Sequence, residues 1–356
     1  MANVTSSKLE PCLSAMPIHI KEAISQKTDI STKPRLRKCS KEYREYVDTF
    51  PAHYYSITLM LSEDVIEMNL VDAAGKEIRL YYQNCGNFCI VKEIDGRNRN
   101  YLPGGPHCQV DYAIGDLMTI FKNPKVSVDF FNIKDGSHTK IAPDNDDRFL
   151  TFQLLQEKLG SLEHKVKVKN FSLMFFAMER ELLSVLSHLE PGTLRRIRFC
   201  TGCEPLNEAA ETHQWKQAKH LVLKGMTEDV PIRHLLHFDD VQLDEANLTF
   251  AELKHMITCF KGRIELFERF EILTCNISET DRRDFENFLA RFPTRAEQQG
   301  PIDKMIAVPG TREMLRILAL RSTALELPPE KHSRLAASSS APSAPAPQLP
   351  ELDVNA

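Results

Sequence analysis

The sequence predicts a mixed α/β fold that ends in an irregular solenoid, and three changes of pattern along the chain support this prediction. Residues 54–94 alternate apolar and polar side chains with a period of two, which is typical of strands. From residue 111 onwards, helical and strand periods alternate, and residues 212–275 repeat a charged amphipathic run followed by a short apolar strand. A unit of one helix and one strand cannot bury its apolar face alone. We therefore expect units of roughly 20 to 30 residues to stack in a leucine-rich-repeat-like solenoid.

The composition narrows the classes of protein that fit this chain. It has 356 residues, of which 42% are hydrophobic, and this is enough for a sizeable core. Its 45 basic and 49 acidic residues nearly balance, so no overall field favours nucleic acid or a membrane as a partner. No run of about 18 apolar residues occurs, and Lys8, Glu10 and Pro11 stand where a secretion signal would need its apolar core. We therefore expect an intracellular protein, located in the cytoplasm or the nucleus.

Two short amphipathic helices are predicted near the N-terminus, after a polar stretch at residues 1–12 that we expect to be disordered. In the first helix, Pro17 begins a segment in which Ile20 and Ile24 share one face. Proline is tolerated there because a first-turn amide has no partner within the helix. Two helices of about 35 residues cannot form a core of their own, so we expect them to dock elsewhere. The apolar stripe of the second helix is formed by Leu36, Cys39, Tyr43, Tyr46 and Val47.

The next part of the chain, residues 54–110, is predicted to be a small antiparallel β-meander. Turn residues at 74–76 and at 84–87 separate three of its apolar runs. Three glycines and two prolines at 96–107 indicate a loop.

The predicted solenoid occupies residues 111–325. A closing hairpin formed by Met305–Val308 and Met314–Leu320 is expected, because the last unit of a solenoid otherwise exposes its core. Residues 328–356 are rich in Ala, Ser and Pro, and such a composition cannot bury enough surface to become ordered. We expect a disordered tail there. The first three helices of the solenoid are predicted at Tyr112–Phe121, Phe149–Leu162 and Glu179–Leu189.

No motif in the chain indicates catalysis, and no cofactor is expected. Cys200 and Cys203 form a single CxxC motif, but a structural zinc site usually takes four ligands from two such pairs. His234 and His237 could share one helical side, but one helix supplies only two ligands, so structural histidines are the favoured interpretation. The nine cysteines are expected to be reduced thiols. We predict a protein that binds other proteins and has no enzymatic activity.

Two stretches near the N-terminus resemble an F-box in register. They are MPIHIKEAI at residues 16–24 and LRKCSKEYREYV at residues 36–47, in which Cys39 and Tyr43 take the places of the usual Val and Trp. The remainder, above all QWKQAK at residues 214–219, resembles the FTH domain that follows F-boxes in a large nematode family. Together the two resemblances cover roughly residues 13–320, with the F-box-like helices at 13–50 and the FTH domain at 111–325.

The resemblance implies a substrate-recognition adaptor of an SCF-type (Skp–cullin–F-box) ubiquitin ligase. In that family, the F-box binds a Skp-type adaptor and through it a cullin, and the C-terminal domain presents a protein substrate. The resemblance does not name that substrate. The positions that would contact the adaptor are Pro17, Ile20, Ile24, Leu36, Cys39, Tyr43 and Val47.

Two departures from the family pattern support an alternative. Thr28 and Lys33 stand where family members usually carry leucines, and each lost apolar anchor costs roughly one to three kcal/mol of interface. The alternative is a solenoid interaction module whose degenerate F-box no longer binds the adaptor. In that case the N-terminal helices pack only on their own chain. The basic face of the second helix is interpreted as a solvated surface in either case.

Overall fold

The computed structural model describes residues 16–28, 32, 41, 44–45, 50–93, 99–136, 146–201, 206–226, 231–246, 251–252, 255, 269–275, 287, 302–307 and 314–319. Its helices are α1 (Ile18–Lys27), α2 (Cys108–Phe121), α3 (Asp146–Gly160), α4 (Glu179–Leu186), α5 (Asn207–Glu211) and α6 (His213–Gln217), followed by a 3-10 turn (Ile232–His234). Its strands are β1 (Ala52–Leu61), β2 (Val65–Asp72), β3 (Glu77–Asn84), β4 (Phe88–Glu93), β5 (Arg99–Pro103), β6 (Val126–Asp135), β7 (Lys167–Ala177), β8 (Arg196–Thr201), β9 (His220–Met226), β10 (Asp240–Ala246), β11 (Arg269–Cys275), β12 (Ile302–Ala307) and β13 (Met314–Ala319).

The strands join one mixed sheet in the order β12-β13-β11-β10-β9-β8-β7-β6-β1-β2-β3-β4-β5. From β7 to β11, each strand lies beside its predecessor in the chain and runs parallel to it. Such connections need a crossover, and in this chain helices provide it between β6 and β9. The mixed α/β class predicted from the sequence is confirmed.

The antiparallel half of the sheet runs from β1 to β5. The two glycine turns expected there are present, since Gly75 and Gly86 have φ angles of 81° and 75°, which favour glycine. The Asp72 carboxylate accepts hydrogen bonds from the backbone amides of Ala74 and Lys76, both at 2.9 Å. These contacts form an Asx turn, which polar residues between two apolar runs favour.

One prediction for this region was wrong, because the loop expected at residues 96–107 contains strand β5. It pairs antiparallel with β4 and forms the end of the sheet, where Pro103 stands opposite Phe88. A proline cannot donate a backbone hydrogen bond, but an edge strand leaves one side unpaired and so tolerates it. The glycines and prolines of this stretch therefore belong to an edge strand and to the residues on either side of it.

The parallel strands and the residues just before them share one spacing of buried apolar side chains. A first apolar residue is followed by a second three positions later and by a third five positions later. The two residues between the first and second apolar positions both lie off the core. Every core residue in this set is at most 1% exposed. The sets are Val128, Phe131 and Ile133; Val168, Phe171 and Leu173; Leu194, Ile197 and Phe199; Ala218, Leu221 and Leu223; and Phe238, Val241 and Leu243.

At the far end of the sheet, β12 and β13 form the antiparallel pair expected for a closing hairpin, and β13 lies parallel to β11. The expected disordered segments at residues 1–12 and 328–356 lie outside the described residues. Within the described residues, no helix is long and apolar enough to cross a membrane.

Candidate functional site

Helix α1 carries the part of the predicted adaptor-binding surface that the structure describes. Pro17 precedes the helix, and its carbonyl accepts a hydrogen bond from the Lys21 amide at 3.2 Å, so the proline is placed where its missing N–H costs nothing. Ile20 and Ile24 are 40% and 36% exposed, and their spacing of four puts them on the same face. Two neighbouring isoleucines on one exposed helix face form a small apolar patch that is open to a partner.

Thr28, which stands where the family usually has leucine, has a local role in α1. Its hydroxyl donates a hydrogen bond of 2.6 Å to the carbonyl of Ile24, one turn earlier. Carbonyls in the last turn of a helix lack amide partners within the helix, so this contact satisfies one of them. Threonine at this position therefore lacks the apolar side chain that a leucine would offer to an adaptor, but its hydroxyl stabilises the end of α1.

The other predicted contact positions, Leu36, Cys39, Tyr43 and Val47, lie outside the described residues, as does Lys33. Between residues 29 and 49, the structure describes four positions, and all of them are helical. They are Thr32, Lys41, Arg44 and Glu45.

The residues that raised a metal or redox interpretation are the CxxC cysteines and a pair of histidines. Cys200 is half-buried at the end of β8, whereas Cys203 lies outside the described residues. Among the residues that the structure describes, no group of three or more His, Cys, Asp or Glu side chains is placed to hold a metal ion. The imidazole of His237 instead contacts the carbonyl of Trp215 at 2.8 Å.

Trp215, at the centre of the QWKQAK stretch, is a packing anchor. It is fully buried, its ring meets Phe238 edge-to-face at 5.4 Å, and its indole N–H donates to the carbonyl of His234 at 2.9 Å. Gln214 donates to the carbonyl of Leu189 at 2.8 Å. Burial, and then the nearby Arg233 charge, lowers the pKa of His234. The residues that carried the resemblance thus hold α6 and the 3-10 turn against the sheet.

Sequence reasoning missed a buried ion pair between Arg148 of α3 and Glu181 of α4. The Arg148 Nε donates to Glu181 Oε1 at 2.7 Å, and a second guanidinium nitrogen donates to the other carboxylate oxygen. Glu181 also accepts from the Met178 amide at 2.7 Å and so caps its own helix. A glutamate at the third position of a predicted helix was the available signal, but it did not identify the arginine.

The side of the sheet that faces away from the core carries a row of residues that are polar with the exception of Val222. Asn132 of β6 donates to the Thr58 hydroxyl of β1 at 3.2 Å, which shows that adjacent members of the row are in contact. We call this side the open face. Its central row, in register across successive strands, consists of Thr58, Asn132, Ser172, Arg198, Val222 and Gln242.

An aromatic pair lies on the open face beside this row. Tyr55 of β1 is 52% exposed, and its ring centroid is 5.3 Å from that of Phe130 on β6. Exposed aromatic residues are a common feature of protein-binding surfaces. The open face therefore has the side chains of an interaction surface.

Comparison with known proteins agrees with this architecture. Residues 150–292 match the family model of the FTH domain, a range that runs from within α3 past β11. No solved structure matches the chain. The fold is that of an α/β protein, and residues 150–292 are similar to the FTH domain.

A curated relative extends the similarity to the N-terminus. F-box A protein 224 of Caenorhabditis elegans is 21% identical over 324 residues, which are 87% of this chain and 80% of that protein. The resemblance to nematode F-box proteins with an FTH domain is therefore confirmed. Proteins of that family are generally adaptors that carry out no chemistry.

Proposed function

We propose that this protein is the substrate-recognition adaptor of an SCF-type ubiquitin ligase and has no catalytic activity of its own. In this proposal the helices at residues 13–50 form a degenerate F-box that binds a Skp-type adaptor and, through it, a cullin. The FTH domain at residues 111–325 binds a protein substrate, which brings it to the ubiquitin-transferring subunits at raised effective concentration. Such an assembly works in the cytoplasm or the nucleus.

The observation that carries the adaptor half of the proposal is the exposed pair Ile20 and Ile24 on α1, in the stretch that resembles an F-box. An apolar side chain gains roughly 1.5–3 kcal/mol when it becomes fully buried. Because both isoleucines already have part of their surface covered, an interface would gain only a fraction of that value from each. The predicted stripe of the second helix would have to supply the rest.

The substrate half of the proposal is supported by the buried spacing shared by β6 to β10. Apolar residues at relative positions one, four and six are the spacing of the leucine-rich repeat, in which strands stack side by side and line one binding surface. We therefore interpret residues 111–325 as an irregular leucine-rich-repeat-like solenoid, with the open face as its binding surface.

Co-purification with a nematode Skp-type adaptor tests the first half. The full chain is co-expressed with the adaptor and compared with Ile24→Asp, which places a charge in the apolar patch of α1. Phe149→Asp on α3 is the matched control, because Phe149 is also an exposed apolar residue, at 55%, but lies on another helix. We expect the adaptor to co-purify with wild type and with the control, and to be lost with Ile24→Asp.

Equal recovery of the adaptor with wild type and Ile24→Asp would contradict the proposed use of α1. No recovery with any of the three would favour the alternative, a solenoid interaction module whose degenerate F-box has lost the adaptor. The hydrogen bond from Thr28 to the last turn of α1, at the position where the family usually has leucine, is the observation that favours that alternative.

A further inference from the structure

The open face concentrates positive charge on its central parallel strands. The Arg195 amide donates to the Lys169 carbonyl at 2.8 Å, and the Lys219 amide donates to the Arg195 carbonyl at 2.8 Å. Lys169 of β7 is therefore a neighbour of Arg195 and Lys219, which immediately precede β8 and β9. Two further arginines follow on β8. We call this set the basic strip, and it consists of Lys169, Arg195, Arg196, Arg198 and Lys219.

Carboxylates on the flanking strands neutralise only part of the basic strip. The cation of each pair is exposed to solvent, so the pairs are weak. The net charge of the basic strip and its flanking carboxylates therefore remains positive, and the excess lies at β8. The pairs are Lys169 with Asp129 at 3.6 Å, Lys219 with Asp239 at 3.4 Å, and Arg196 with Asp240 at 4.0 Å.

Arg195 and Arg198 form no ion pair with any residue that the structure describes. Arg195 is exposed to solvent. The Nε of Arg198 is closed off from solvent and has no hydrogen-bond partner within the described residues. Arg198 as a whole is half-buried, so a carboxylate of a partner can reach it only through its terminal guanidinium nitrogens.

The aromatic pair lies at a fixed distance from these arginines. Phe130, Asn170 and Arg196 are register partners on three successive strands. Adjacent strands lie about 4.8 Å apart, so Phe130, two strands away, is about 10 Å from β8 along the open face. An extended peptide advances about 3.3 Å per residue and covers this distance in about three residues.

We propose that the open face binds an acidic segment of a partner protein that carries an apolar residue beside its carboxylates. The apolar residue packs on Tyr55 and Phe130, and carboxylates about three positions away accept hydrogen bonds from Arg195 and Arg198. Arginine and aromatic residues are the side chains that dominate protein interfaces. This inference rests on the proposed function, in which the segment belongs to the substrate.

A nucleic acid fits this surface less well than a short acidic segment. A nucleic acid carries a negative charge at every nucleotide, so its phosphates would pass over the carboxylates on both sides of the basic strip. Those carboxylates are Asp129 on one side and Asp239 and Asp240 on the other. An acidic segment of a few residues fits between them.

Fluorescence anisotropy with the purified full chain tests the proposal. The probe is a labelled peptide of about ten residues, with one Leu followed about three positions later by consecutive Glu residues. Comparison peptides replace each Glu by Lys, or the Leu by Gly, and a labelled oligouridylate tests nucleic acid. We expect the acidic Leu peptide to bind most tightly and its affinity to fall as salt rises, because exposed charges are screened.

Arg195→Gln with Arg198→Gln should weaken binding of the acidic peptide about tenfold or more, since two charge-assisted contacts are lost. The matched control, Lys158→Gln with Lys216→Gln, removes the same charge from exposed positions on α3 and α6 and should leave binding nearly unchanged. Arg195→Gln alone changes only an exposed side chain, so its smaller loss of affinity is measured in a folded protein. Thermal melting checks the double variant.

Three results would overturn the proposal. They are equal affinity of wild type and Arg195→Gln, equal affinity for the Lys peptide, and tighter binding of oligouridylate than of the acidic peptide. The measurement contains no Skp-type adaptor. A chain that binds the peptide without recovering the adaptor therefore contradicts the proposed function alone, and a chain that recovers the adaptor but binds no acidic peptide contradicts this inference alone.

Discussion

Removing the carboxylate of Glu181 should destabilise the protein strongly, because its partner is a buried cation. The side chains of Arg148 and Glu181 are 7% and 8% exposed, and two hydrogen bonds join them. In Glu181→Ala, the guanidinium keeps a stacking contact with Phe175, at 4.4 Å, but loses its counter-charge. Breaking one side of a buried ion pair costs about 3–5 kcal/mol. Because a domain is typically stable by only about 5–15 kcal/mol, this is a large share of the total.

The double variant Arg148→Leu with Glu181→Leu should recover most of that loss, because no buried charge remains uncompensated. It still lacks the hydrogen bond from the Met178 amide that caps α4, so a residual loss of about 1 kcal/mol is expected. Glu157→Ala is the matched control. It breaks an ion pair with Lys158 of the same 2.7 Å length that is exposed, and it should cost less than about 1 kcal/mol.

Urea unfolding followed by circular dichroism measures all four free energies of unfolding by linear extrapolation. The reasoning would be refuted if Glu181→Ala were no more costly than Glu157→Ala. It would also be refuted if the double variant lost as much stability as Glu181→Ala, since the loss would then come from packing and not from an unpaired charge.

Two further predictions concern the antiparallel half of the sheet. A Cβ added at Gly104 would overlap the backbone of Phe88, whereas one added at Gly105 meets nothing within 4 Å. Gly104→Ala should therefore lower the free energy of unfolding by about 1–3 kcal/mol or more, and Gly105→Ala should leave it nearly unchanged; similar urea midpoints for the two variants would contradict this. Burial, and then the charge of Asp72, raises the pKa of Tyr54 from 10.0 to about 12. Stability from this phenol is present below pH 10 and falls between pH 10 and 12 by up to ~1.4 kcal/mol per pH unit, because only the unfolded chain loses the proton there. Tyr54→Phe should flatten that dependence, and an unchanged slope would show that other groups cause it.

Local patterns were sufficient to place most of the described elements. The apolar runs at Val65–Leu70 and Ile78–Tyr82 lie inside β2 and β3, and the helix expected at Tyr112–Phe121 lies inside α2. These predictions succeeded because periodicity and turn residues depend on neighbours in the sequence. The loop expected at 96–107 failed for the opposite reason. Residues 99–103 form strand β5 because they pair with the unpaired side of β4. The local pattern of a short Gly- and Pro-containing stretch does not reveal such a pairing.

The candidate site was only partly accessible to sequence reasoning. Pro17, Ile20 and Ile24 could be named because their stretch resembles an F-box. The helical spacing of four predicts a shared face for the two isoleucines, and the structure shows both of them exposed. The partner of Glu181 could not be named, because Arg148 lies on a different helix and its distance in sequence contains no signal of contact.

By itself, the sequence determined the α/β class, the positions of the main strands and helices, and the resemblance to nematode F-box proteins with an FTH domain. Only the tertiary structure decided which charges lie side by side. Lys169, Arg195 and Lys219 are far apart in the chain and become neighbours only through the parallel register of β7, β8 and β9. Register depends on how helices and strands pack across the whole domain, and this is why the basic strip cannot be deduced from residue spacing alone.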